Sequence, residues 1–166
     1  MLLTILTSLV LPAVVLTAPS SLARRAAEDN CAPIAYTLSD YILTTSAVSA
    51  RVDFTVKSSF VDTTGIVDAV IHGVDCGADG PTIPNNNVCR TADRKLLFDL
   101  RGPQSQAYYQ LTHTWTCNGY TWMSGTPVQI DPLDCTDDGT KRICRGGPQT
   151  IKPQNVRKIC NSPTHC

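Results

Sequence analysis

The chain has 166 residues, with 14 basic against 14 acidic side chains, three histidines and eight cysteines. Balanced charge sets up no global field for nucleic acid or an anionic membrane, and a chain of this length suits one domain. An even cysteine count in a short chain points to disulfides and an oxidising compartment rather than metal ligation.

Residues 1–18, MLLTILTSLVLPAVVLTA, are apolar and uncharged. They fall short of the about 20 residues a membrane-spanning helix needs, and the small-residue stretch PSSLARR follows at once. That is the layout of a secretory signal peptide. Signal cleavage is open between Ala18, disfavoured by Pro19, and Ala23. Arg24-Arg25 reads as a dibasic processing site of fungal type that would leave Ala26 as the mature start. The expected organisation is a signal peptide plus pro-segment over 1–25 and one secreted domain over 26–166.

From there the organising period is two. IAYTLSDYIL (34–43) reads as a strand. RVDFTVK (51–57) is a half-buried one, with Val52, Phe54 and Val56 on one face and charged or hydroxyl side chains on the other. IVDAVIHGV (66–74), RKLLFDL (94–100), AYYQLTHTWTC (107–117) and GYTWMSGTPVQI (119–130) complete the set. They are rich in Val, Ile, Thr and aromatics and are separated by Gly, Pro or Asn. No window offers a capped amphipathic helix. Short strands with turns between them indicate a single-domain antiparallel β-barrel or β-sandwich.

The cysteines are Cys31, Cys76, Cys89, Cys117, Cys135, Cys144, Cys160 and Cys166. Cys76 and Cys89 bracket GADGPTIPNNNV, a Gly/Pro/Asn stretch that reads as a surface loop. Cys135 and Cys144 bracket TDDGTKRI, where Asp138-Gly139 signals a hairpin; a turn from Asp138 to Lys141 would set the two cysteines opposite each other. The aspartates there miss the calcium-loop spacing. Spacing leaves the pairing of Cys31, Cys117, Cys160 and Cys166 open.

Between residues 141 and 158 the chain carries Lys141, Arg142, Arg145, Lys152, Arg157 and Lys158 with no acid, directly after Asp131, Asp134, Asp137 and Asp138. This is either a dipolar surface or a partner site, and these six are the candidate partner-binding residues. With the Cys76–Cys89 loop, they form the surface expected to meet a partner.

Catalytic signals are sparse. His113 shares the apolar face of its strand with Tyr109, Leu111, Trp115 and Cys117, so it is expected inside, its ring nitrogens satisfied by backbone or a hydroxyl. His72 and His165 are the other histidines, and Glu28 is the sole glutamate. No G-x-S-x-G elbow and no zinc spacing occur. No catalytic residue, metal or cofactor is assigned. A small hydrolase using aspartates or His72 is the alternative to a binding protein.

CAPIAYTLSDY (31–41) sets a cysteine ahead of Tyr36-Thr37-Leu38-Ser39-Asp40-Tyr41. An F-x-V strand (Phe54 to Val56), a cysteine-bracketed loop, a strand around Leu97-Phe98, a strand ending in Cys117 and a late cysteine pair follow. This layout resembles the Alternaria major-allergen-like family of secreted fungal proteins over most of the expected mature chain. The resemblance implies a compact all-β barrel or sandwich. It also implies an extracellular, effector-like or allergen-like role in virulence, binding a host plant defence protein or a small-molecule ligand; the charge balance points to neither nucleic acid nor membrane as partner, and the sparse catalytic signals favour a non-catalytic role. In some members the N-terminal cysteine bridges a homodimer; the even count here allows Cys31 to pair within its own chain.

Overall fold

A computed structural model describes residues 30–160, which form two antiparallel sheets. The leader, Arg24-Arg25, Ala26, Glu28, His165 and Cys166 lie outside the described residues. In chain order the strands are β1 (Ala35–Ser46), β2 (Ala50–Ser59), β3 (Ile66–Val67), β4 (Val74–Gly80), β5 (Asn87–Val88) and β6 (Leu96–Leu100), then β7 (Tyr108–Cys117), β8 (Tyr120–Gln129), β9 (Leu133–Asp137), β10 (Lys141–Gly146), β11 (Gln149–Ile151) and β12 (Arg157–Lys158). The first sheet runs β4-β2-β1-β10-β9 with β11 also on β1; the second runs β12-β8-β7-β6-β5 with β3 on β7. Among the described residues no strand pairing joins the sheets. The fold is a sandwich, and the barrel alternative is corrected.

Alternation builds the core. Val52, Phe54 and Val56 from β2 meet Phe98 from β6 and Tyr109 and Leu111 from β7. Phe54 and Phe98 pack edge to face at 4.9 Å, and the Tyr41 and Tyr109 hydroxyls bond each other at 2.9 Å. A second apolar cluster fills one end: Trp115, Trp122 and the Cys31–Cys117 disulfide, against Phe60, Ile66 and Val156.

β1 changes phase. Tyr36 and Leu38 are buried, and so are Tyr41 and Leu43, which strict alternation would send outward. The pairing of β1 with β2 shifts register between Ser39 and Ile42, and Asp40 takes φ 57°. A bulge inserts the extra residue that flips the faces. Aspartate tolerates the left-handed region better than most residues.

The strand expected over 66–74 is corrected. Ile66–Val67 pairs with β7 and Val74 already opens β4 on the other sheet; between them Asp68 turns the chain inward, its carboxylate accepting the Val70 N–H at 2.7 Å. The Val70 carbonyl accepts from Ser58 and Gly73, and Gly73 sits at φ 91°. The loop expected over 77–88 is corrected in part, because β4 extends to Gly80 as an edge strand along β2.

Cys76 bonds Cys89 and Cys135 bonds Cys144, the pairs the spacing singled out. Cys160 is disulfide-bonded as well. The β9–β10 hairpin turns at Asp138, whose N–H donates to the Lys141 carbonyl at 3.1 Å, with Cys135 directly opposite Cys144. The Asp138 carboxyl, held down by the Thr140 hydroxyl and by the Lys141 and Thr140 N–H groups, is lowered to about 2.

Candidate functional site

His113 lies on β7 with its side chain, like that of Asp68, wholly enclosed. Its Nε2 is 2.9 Å from Asp68 Oδ1, and its Nδ1 is 2.9 Å from the Tyr36 hydroxyl. The Tyr36 hydroxyl is 2.6 Å from Ser124 Oγ, and Ser58 Oγ donates to the other Asp68 oxygen. Five polar side chains thus run as one chain between the sheets: Ser124, Tyr36, His113, Asp68, Ser58. Burial would raise the Asp68 carboxyl, but the hydrogen bond and charge of His113, the Ser58 hydroxyl and the Val70 N–H outweigh it. They hold it below its ordinary value. An ionised carboxylate only accepts, so the hydrogen between the two is carried by Nε2. Burial pushes the Tyr36 phenol well up, which keeps it a neutral donor. His113 also stacks on Trp115 at 4.9 Å.

The arrangement has the parts of a proton relay but no route to substrate. A general base must come within hydrogen-bond reach of the proton it takes, and every polar atom of this ring already faces protein. The chain is an internal brace. Replacing His113 with Gln is expected to lower stability by about 1–2 kcal/mol in urea unfolding and to leave surface binding unchanged. Loss of binding in a folded His113→Gln protein would contradict that.

An open cleft of about 770 Å³ lies where the β1 bulge faces the connection from β10 to β11. Asp40, Asp131, Asp134 and Arg145 line it beside Tyr41 and Gln149. Gly146 is part of its wall, and a Cβ there would lie 2.5 Å from Ile130 Cγ2. His72 is exposed and lies outside this cleft.

The six candidate partner-binding residues do not form one patch. On β10, Lys141 and Arg145 share a face, while Arg142 takes the opposite one with Cys144. Lys141 is 4.0 Å from Asp138, and Arg145 lines the acidic cleft. Lys152 is exposed after β11. Arg157 and Lys158 belong to the other sheet, where the Lys158 Nζ sits 3.2 Å over the Tyr120 ring. The continuous basic stretch of the sequence is two surfaces in space.

Sequence reasoning missed Asp68 as the partner of His113, and missed the cleft. Signals for both were present: an aspartate at an apolar-phase position of 66–74, and the Asp131-Pro132 and Gly146-Gly147-Pro148 breaks that frame the cleft.

Fold and disulfides together define a stapled β-sandwich of the kind maintained in an oxidising compartment. Two crystal structures of the Alternaria alternata major allergen Alt a 1 share this architecture. One aligns with a TM-score of 0.51 over 79% of this chain and 93% of the allergen, the other with 0.49 over 78% and 97%, both at 11% identity. At that identity the likeness is one of fold, and it rests on the first alignment. No family model and no curated protein matches the sequence. Cys31, bonded to Cys117, has no thiol for a bridge between chains.

Proposed function

We propose that this is a secreted fungal protein of the allergen-like kind that acts by binding a host plant protein or small ligand at its surface, without catalysis. One observation carries it. The only histidine–carboxylate pair among the described residues is sealed inside the sandwich. The apolar leader, the stapled framework and the Alt a 1 fold support secretion and the allergen-like reading. Recognition falls to the charged rim, where Lys141 and Arg145 extend outward from β10.

The test is affinity. Plant apoplastic proteins retained by the immobilised mature protein are identified and then measured singly at two ionic strengths. The expected result is a partner whose affinity drops at least tenfold in Lys141→Glu/Arg145→Glu and falls with added salt, as rim charges do. A partner indifferent to both changes would overturn this surface, and no retained partner would overturn the host-protein reading.

The cleft favours a second reading. Three aspartates, Asp40, Asp131 and Asp134, border one open space, and a carboxylate-based hydrolase draws its two working carboxyls from such a set. Turnover of a glycan substrate by the native protein, abolished in Asp131→Asn or Asp134→Asn, would replace binding with catalysis.

A further inference from the structure

The outer face of the second sheet carries a pocket of different character from the acidic cleft. It measures about 280 Å³ and is lined by Arg101, Gln110, Thr112, Gly125, Asn155 and Arg157. No acidic side chain lines it. The pairing explains how these residues meet. Gly125 on β8 stands opposite Thr112 on β7, and Arg157 on β12 stands opposite Met123, two residues from Gly125. On the other flank the Arg101 N–H donates to the Tyr108 carbonyl, which places Arg101 just beyond β6.

Gly125 makes the floor. A Cβ there would approach Gln110 Nε2 to 3.2 Å and occupy the space between the flanking side chains. A glycine inside a strand often marks close approach of another group to the backbone. The wall beside it is fixed by Asn155, whose side-chain amide donates to the Gly125 carbonyl at 2.9 Å. Arg157 has no carboxylate within ion-pair distance among the described residues, and the one near Arg101, Asp99, is 4.0 Å away with its other oxygen accepting the Asn86 N–H.

We infer that this pocket is a binding site for an oxyanion, a carboxylate or sulfate group carried by a ligand. Guanidinium groups match planar or tetrahedral oxyanions through paired N–H donors. Two of them border this pocket, with Thr112 and Gln110 supplying neutral donors between. Inorganic sulfate and a uronate sugar present the same chemistry. The site is independent of any host-protein partner, and it uses Arg157, which the sequence had grouped with residues of the other sheet.

The test uses the isotope-labelled mature protein titrated with sodium sulfate and, separately, with trigalacturonate, at ionic strength matched by chloride. Saturable amide shifts centred on Gln110, Thr112, Gly125 and Asn155 are expected with at least one of them. Saturation by trigalacturonate assigns the site to carboxylate ligands, and saturation by sulfate alone assigns it to sulfate. Arg101→Gln/Arg157→Gln should raise Kd at least tenfold, while Lys152→Gln, which removes a charge outside the pocket, should leave Kd within twofold. Shifts that never saturate, that spread over the surface, or that persist unchanged in the folded double variant overturn the site. Should the double variant not fold, the position and saturation of the shifts in the native protein decide alone.

Discussion

Asp68→Ala is expected to destabilise the protein by about 3–5 kcal/mol, because one buried carboxylate serves three donors that alanine leaves unpaired. The carboxylate accepts from His113 Nε2, from Ser58 Oγ and from the Val70 N–H. Alanine removes every one of those acceptors and leaves the donors unpaired between the sheets, where an unsatisfied group costs about 1–3 kcal/mol. Asp68→Asn should cost less, because its amide oxygen still serves the Val70 turn. Acid provides an independent reading. The folded carboxyl titrates below its ordinary value, against about 3.9 in the unfolded chain. Its contribution is therefore complete above that unfolded value and is lost as pH falls through the lower folded one. The gap between native and Asp68→Ala stabilities should be widest near neutrality and narrow in acid. A gap that stays constant, or a cost below about 1 kcal/mol, would mean that the buried chain does not brace the sandwich.

The same residue shows where sequence reasoning stops. Period two placed the face of β7 correctly, His113 included, because every second side chain there is apolar or aromatic and the strand is long enough for the pattern to repeat. In 66–74 the pattern was present but misleading. Ile66, Val70 and Val74 fall in phase, yet Asp68 and His72 fall in the same phase. An aspartate on a buried face needs donors that sequence does not display, and here they come from Ser58 and His113, 10 and 45 positions away. The β1 bulge was hidden for a related reason. Strands 34–38 and 41–43 each alternate, and the half-step between them appears only when both sets of aromatics must reach one core. The local disulfides were legible because turn chemistry lies between their cysteines. Charge was the least legible property, since β10 and β12 are near in sequence and belong to different sheets.

The Cys31–Cys117 bond should prove the largest contributor of the three disulfides whose cysteines both lie among the described residues. It joins positions 86 residues apart, whereas Cys76–Cys89 and Cys135–Cys144 span 13 and 9. Loop-closure entropy then predicts losses of about 4–5 kcal/mol for Cys31→Ser/Cys117→Ser and about 3 kcal/mol for either local pair. Local packing adds to the difference. The Trp115 Nε1–H donates to the Cys31 carbonyl at 2.8 Å, so the bond also fixes the acceptor for a buried indole. Removing it loosens the chain entry to β1, frees that N–H and opens the cluster of Trp115 and Trp122. Urea unfolding of the three double-serine variants should rank this one lowest, with a red shift in tryptophan emission that the other two lack. Equal midpoints in all three would show that strand pairing, rather than the long covalent loop, holds the first strand to the second sheet. Electrophoresis without reductant supplies the complementary check: a bond within the chain gives a monomer band, and a reducible dimer lost on Cys31→Ser would place that cysteine between chains instead.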